Sequence, residues 1–165
     1  MRATRQMAQH LERSGRVSVA APFAKAFKFF TPDGERVWVP GWDPEYLHPR
    51  DGTLVEDLTF RTRHQLDEVT LWLVSRCDEA RGAIEYVRVT PGSRMGTVSV
   101  LCVTTGAVQT EASITYRLTA LSEAGEAALD AFAAEFSDML ATWERHIADA
   151  LRGPGSQSPT ERRQQ

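Results

Sequence analysis

Cysteine is nearly missing: the chain carries only Cys77 and Cys102. Both fall on candidate strands two apart in an antiparallel meander. At about 4.8 Å per strand, their α-carbons would stand roughly 10 Å apart. A disulfide spans at most about 7 Å, so both are expected as free thiols, which fits a reducing cytoplasm. No apolar run approaches the roughly 20 residues of a bilayer helix. The stretch before Arg16 has no apolar core, and its charges (Arg2, Arg5, Glu12, Arg13) are dispersed, unlike a secretory signal. A basic excess is also lacking. With 19 basic and 22 acidic side chains and a net charge of -3, the chain argues against a nucleic-acid partner. It has no Gly-x-Gly-x-x-Gly loop, no Walker loop and no Gly-x-Ser-x-Gly elbow.

What is present suffices for one domain. The chain has 165 residues, 42% of them hydrophobic and 25% charged. Residues 1–14 read as a polar segment that frays or forms a short helix, 15–152 as the domain, and 153–165 as a disordered tail rich in Gly, Pro, Ser and Gln. Arg16 to Ala21 alternates as a strand. Pro22 ends it, and Ala24 to Phe30 reads as a short apolar helix followed by a Thr31-Pro32-Asp33-Gly34 turn. The next stretch, Glu35 to Pro49, holds Trp38, Trp42 and three prolines, and reads as a short helix or turn followed by an ordered loop.

From Thr53 to Ala120 the period is two. The expected strands are Leu54–Arg61, Val69–Cys77, Ala83–Thr90, Met95–Thr104 and Val108–Ala120. Their links, including Asp67-Glu68 and Pro91-Gly92-Ser93, are too short for parallel crossovers, so antiparallel hairpins follow. In the last strand Ala112, Ile114, Tyr116 and Leu118 share one face, and Glu111, Ser113, Thr115 and Arg117 the other. A long helix closes the chain. Leu129, Phe132, Phe136, Leu140, Trp143, Ile147 and Leu151 recur at spacings of three and four, with Ser122 as N-cap and Gly153-Pro154 as the stop.

This order predicts an α+β fold: a curved antiparallel sheet wrapped around a long C-terminal helix, with two short helices after the first strand. Sheet and helix would touch at the ends and leave an apolar, aromatic cavity between. Four phrases carry a family resemblance: Val19-Ala20-Ala21-Pro22-Phe23-Ala24-Lys25-Ala26-Phe27, Trp38-Val39-Pro40-Gly41-Trp42, Tyr86-Val87-Arg88-Val89-Thr90-Pro91-Gly92 and Thr115-Tyr116-Arg117-Leu118-Thr119-Ala120-Leu121. With the closing helix, they resemble the START-like, or SRPBCC, superfamily over about residues 15 to 152. The resemblance implies the helix-grip fold of the birch-pollen allergens. It also implies a function among hydrophobic-ligand carriers, polyketide cyclases and aromatases, quinone-binding proteins and Hsp90 co-activators. Fold alone does not choose between them. The chain has no Rieske cysteine–histidine set, no histidine following Cys77 or Cys102 within three residues, which argues against the superfamily's iron-dependent ring-hydroxylating branch.

The expected ligand-binding set is Trp38, Trp42, Trp72, Tyr86, Arg88, Tyr116, Phe136, Met139 and Trp143, an aromatic wall with polar tips. Taken singly, each aromatic reads more readily as ordinary core; taken as a group, with the fold resemblance, they read as a cavity wall. Trp38-Val39-Pro40-Gly41-Trp42 reads as a pocket entrance or a homodimer contact. If an enzyme, the protein would use Arg88 to stabilise an enolate and His146 for proton transfer, with Tyr86 and Tyr116 as donors. Both faces of the Arg88 strand are mixed, so alternation leaves open whether Arg88 lies on the concave side; Arg76 and Trp72 share that ambiguity. His10, His48, His64 and His146 form no metal spacing, and the proximity of His48 to Asp43 and Glu45 is too broken by proline to imply one. No metal and no cofactor is expected. The expected partner is a small hydrophobic molecule.

Overall fold

Alternating side chains in the middle of the chain build a single antiparallel sheet, and a computed structural model describes residues 8–64 and 68–153 of the protein. The strands are β1 (His10–Val19), β2 (Glu45–His48), β3 (Thr59–Arg63), β4 (Val69–Asp78), β5 (Ala83–Thr90), β6 (Arg94–Gly106) and β7 (Gln109–Ala120). The helices are α1 (Phe23–Lys28), α2 (Pro32–Glu35) and α3 (Glu123–Arg152). Among the described residues the sheet has seven strands in the order β1-β7-β6-β5-β4-β3-β2, every neighbouring pair antiparallel. This is the α+β architecture expected from the pattern, with α3 lying across β1 and β7. No helix among the described residues is long and apolar enough to cross a membrane.

The alternation of β7 falls as read: Ala112, Ile114, Tyr116 and Leu118 are buried, and Glu111, Ser113, Thr115 and Arg117 are not. The helical stripe behaves likewise. Leu129, Phe136, Leu140 and Ile147 are buried, and Phe132, Trp143 and Leu151 pack against the core. Ser122 caps α3 by accepting a hydrogen bond from the Gly125 N–H at 3.1 Å. Gly153 ends the helix at φ 72°, a left-handed angle open to glycine. Cys77 and Cys102 are free thiols.

Four details differ from the sequence reading. β1 begins at His10 rather than Arg16, because pairing with β7 along its whole length holds an edge strand whose side chains are polar. Ser14 and Thr115 hydroxyls meet at 3.0 Å across that pair, and Arg117 lies 3.4 Å from Glu12. β3 begins at Thr59 rather than Leu54, since Asp57 at φ 71° breaks the extended chain. Thr31 opens a helical turn, its hydroxyl accepting from Gly34 N–H, with Pro32 in the first turn. Glu45–His48 is a short strand, not loop. The expected tail beyond Gly153, residues 1–7 and Asp67 lie outside the described residues.

The helix comes close to the sheet at Gly15. A Cβ there would stand 2.3 Å from Leu140 Cδ1 and 3.3 Å from Phe136 Cε1. Phe136 in turn packs against Tyr116 and Phe132 at ring separations of 6.0 and 5.6 Å. Gly15→Ala should therefore cost about 1–3 kcal/mol through overpacking, and Leu140→Val in the same chain should recover part of it. Phe136→Ala should cost about 3–5 kcal/mol. Urea unfolding of the three variants beside wild type measures both; a neutral Gly15→Ala or a Phe136→Ala loss below about 1 kcal/mol would refute the close contact.

Candidate functional site

The concave face is organised in cross-strand rows. Tyr116, Val98, Tyr86 and Val74 stand opposite one another across β7, β6, β5 and β4. The next row runs Leu118, Gly96, Arg88, Trp72, Phe60 and Tyr46. Arg88 therefore shares the face of Ile84 and Tyr86, which are both buried, and lies on the concave side. A register shift between Val74 and Arg76 turns β4 by one residue. It leaves Trp72 on the concave face and Arg76 exposed, which resolves the two positions in opposite senses.

Two hollows open on this face. The inner one, about 90 Å³, is lined by Glu35, Val39, Trp42, Trp72, Tyr86, Val98, Val100, Tyr116 and Trp143. The outer one, about 300 Å³, shares Val39, Trp42, Trp72 and Tyr116 and adds Arg88, Arg94, Glu68, Phe132 and Met139. Edge-on rings form the walls: Trp42 meets Trp72 at 5.6 Å and Trp72 meets Tyr86 at 5.9 Å. Rings meeting edge to face are favourable but do not fill the space between them.

The polar tips divide into two kinds. Trp42 Nε1 donates to Pro32 O at 2.8 Å, Trp72 Nε1 to Thr62 Oγ1 at 2.9 Å, and Tyr86 Oη to Phe30 O at 2.6 Å. Those groups hold the wall together. Arg88 is differently placed. Its guanidinium lies 5.0 Å from the Trp72 ring centre and donates one hydrogen bond, to Thr90 Oγ1 at 3.3 Å. Its Nε is buried without a partner among the described residues. Burial pushes the guanidinium down to about 10, with Arg94 adding like charge and Glu68 and Tyr116 opposing, so it remains a cation at neutral pH.

Glu35 is the residue that the sequence reading missed. It closes the four-residue helix α2 and reaches the inner hollow. Burial alone pushes its carboxyl well above the usual range, with no hydrogen bond among the described residues to hold it ionised. Tyr116 is raised too, by burial and the nearby Glu35, with Arg88 opposing. Glu35 was hidden because one acidic residue beside Arg36 in a proline-rich stretch looks like solvated surface. Only the packing of α2 under the Trp42 wall shows otherwise.

Of the expected ligand-binding residues, Trp42, Trp72, Tyr86, Tyr116 and Trp143 border the inner hollow, and Arg88 and Met139 the outer one. Trp38 and Phe136 border neither. Trp38 is buried behind Trp143, ring centres 5.4 Å apart, and donates to Phe29 O at 2.7 Å. His146, two turns beyond Met139 on α3, also borders neither hollow. Asp43 is bonded to Arg36 and Glu45 to Arg61, so the loop carboxylates near His48 are engaged in ion pairs.

Solved structures resemble this arrangement closely in shape and distantly in sequence. Norcoclaurine synthase from Thalictrum flavum, in complex with dopamine and hydroxybenzaldehyde, superposes with a TM-score of 0.65 at 11% identity, covering 91% of each chain. The Zhui aromatase/cyclase from Streptomyces sp. R1128 gives 0.62 at 16% identity over 89% of this chain and 99% of that one. Ara h 8.0201 gives 0.62 at 11% identity over 86% and 99%. The chain has the helix-grip fold. No family model matches the sequence, and no curated protein matches it. The helix-grip comparison extends to the sheet and α3 as expected from the four phrases above; at these identities it carries the fold and not the ligand.

A desolvated carboxyl with no hydrogen bond among the described residues has a thermodynamic signature. Its folded-state pKa lies above the unfolded value of about 4.3. As pH rises past that value the unfolded chain releases its proton first, so Glu35 subtracts stability progressively until it ionises in the folded state. Glu35→Gln removes that loss. Its thermal midpoint should gain on wild type as pH is raised from about 4, and a difference independent of pH would show that Glu35 is solvated.

Proposed function

We propose that the protein binds a small hydrophobic or aromatic molecule, lipid-, polyketide- or quinone-like, in the hollow between sheet and helix. The observation that carries this reading is the pair of adjoining hollows walled by Trp42, Trp72 and Tyr116. Their volumes, about 90 and 300 Å³, reach the lower end of the roughly 300–1,000 Å³ typical of small-molecule sites. Apolar walls with a few convergent polar groups are the usual composition of such sites. Structural neighbours that hold two aromatic compounds, or that act as an aromatase/cyclase, support the same class.

A second reading is a cyclase-like enzyme, favoured by one specific observation. Arg88 is a half-buried cation on the concave face, its Nε enclosed and without a partner among the described residues. In a low-dielectric hollow such a cation would stabilise a developing enolate. His146, which borders neither hollow, lends this reading no support. A protein-docking role resembling the Hsp90 co-activators, or a homodimer contact through Trp38 to Trp42, has less to stand on. Trp38 is buried, and Trp42 is committed to the cavity wall.

Native mass spectrometry of gently purified protein should show a retained small molecule, or one taken up from a panel of aromatic compounds. Trp42→Ala should weaken binding of an apolar fluorescent dye about tenfold, the cost of one lost aromatic wall at about 1.4 kcal/mol. Unchanged dye affinity in a folded Trp42→Ala variant, with no compound retained or taken up, would refute ligand binding here.

A further inference from the structure

We infer that Glu35 and Tyr116 form a two-donor hydrogen-bonding site for one oxygen of the bound molecule, so that the ligand is an aromatic or polycyclic ketone, quinone or phenol rather than a plain hydrocarbon. The inference rests on the cavity reading and goes beyond it by assigning the ligand's polar end.

Four observations converge. Glu35 and Tyr116 line the same small hollow, from α2 on one side and β7 on the other. The other oxygen donor in that wall, Tyr86, is already committed to Phe30 O. The Glu35 carboxyl and the Tyr116 hydroxyl make no hydrogen bond among the described residues, and neither residue is fully enclosed: Glu35 is half-buried and Tyr116 is 7% exposed. An unpaired polar group in an apolar enclosure costs stability unless it meets a partner. Two such groups on one hollow therefore describe a complement to something that enters it.

The protonation states decide what that is. Burial holds the Glu35 carboxyl in its neutral form more strongly than in water. A neutral carboxyl and a phenol can both donate, and the oxygen acceptor they suit is a carbonyl or a developing oxyanion. A protonated carboxylic acid held in an apolar site beside a tyrosine is an established way to build such a hole. Burial holds the Tyr116 hydroxyl in its protonated, donating form, and the Arg88 charge offsets that effect only in part. The rings of Trp42, Trp72 and Trp143 then take the flat body of the ligand, and the outer hollow takes what extends beyond one ring.

The test compares two near-isosteres, 2-acetylnaphthalene and 2-ethylnaphthalene, by calorimetric titration, with the carbonyl stretch of the bound ketone read by infrared spectroscopy. Wild type should bind the ketone at least about tenfold more tightly than the hydrocarbon, the yield of one to two hydrogen bonds, and the carbonyl stretch should move to lower frequency. Tyr116→Phe and Glu35→Ala should each reduce that ratio several-fold and reverse part of the frequency shift. Glu35→Gln, which keeps an N–H donor and the shape, should retain most of the ratio. Equal affinities for the two compounds in wild type, or a ratio untouched by Tyr116→Phe and Glu35→Ala, would overturn the two-donor site and leave the cavity reading standing. Tighter binding of 2-(aminomethyl)naphthalene than of the ketone would overturn it as well, since Glu35 would then be acting as a carboxylate. Binding of none of the three would overturn the cavity reading together with it.

Discussion

One helix about 10 Å across, side chains included, cannot cover seven strands set about 4.8 Å apart. Everything of functional interest in this protein follows from that mismatch of widths. α3 covers the β1 and β7 side, where Gly15 admits Leu140 and Phe136. The concave face of β4, β5 and β6 must be covered by other means. α1, α2 and the residues from Trp38 to Tyr46 fold over it and contribute Trp42, Val39 and Glu35. Such a cover is built of large rigid rings on short elements, and rigid rings meeting edge to face leave gaps. The hollow is the remainder of an incomplete cover, and its walls are held in place by hydrogen bonds from Trp42, Trp72 and Tyr86 to other parts of the chain.

That origin also explains the uneven chemistry of the hollow. Polar groups on the cover and the sheet arrive from different elements, and not all find partners. Tyr86 reaches a backbone carbonyl. Among the described residues Arg88 finds one hydroxyl and the face of Trp72, and keeps a buried Nε with no partner. Glu35 and Tyr116 find none among the described residues. A cavity serving only as packing would be expected to carry apolar groups at these positions, because each unpaired group costs about 1–3 kcal/mol.

The legibility of these features in the sequence tracks how local their causes are. The α3 stripe and the β7 alternation depend on helix and strand periods alone, and both lie where the periods put them. Arg88 and Arg76 could not be placed, because their faces depend on pairing partners and on one register shift at Ser75, which no alternation pattern announces. The early part of β1 was hidden by polar residues that an edge strand tolerates. Glu35 was the least visible, since its burial is produced by a cover segment folding over strands that lie distant in sequence. The aromatic wall was legible as a group and not residue by residue: Trp38 and Trp42 stand four positions apart, yet one is packed behind the wall and the other forms it.

The four tryptophans make the central claim directly measurable. Each ring N–H gives its own signal in a nitrogen–proton correlation spectrum, and the four occupy different places relative to the hollow. On titration with 2-acetylnaphthalene, the Trp42, Trp72 and Trp143 signals should move, and that of Trp38, which borders neither hollow and is tied to Phe29 O, should move least. If all four ring signals stay fixed up to the solubility limit of the compound, or if Trp38 moves most, the space between the sheet and its cover is not a ligand site.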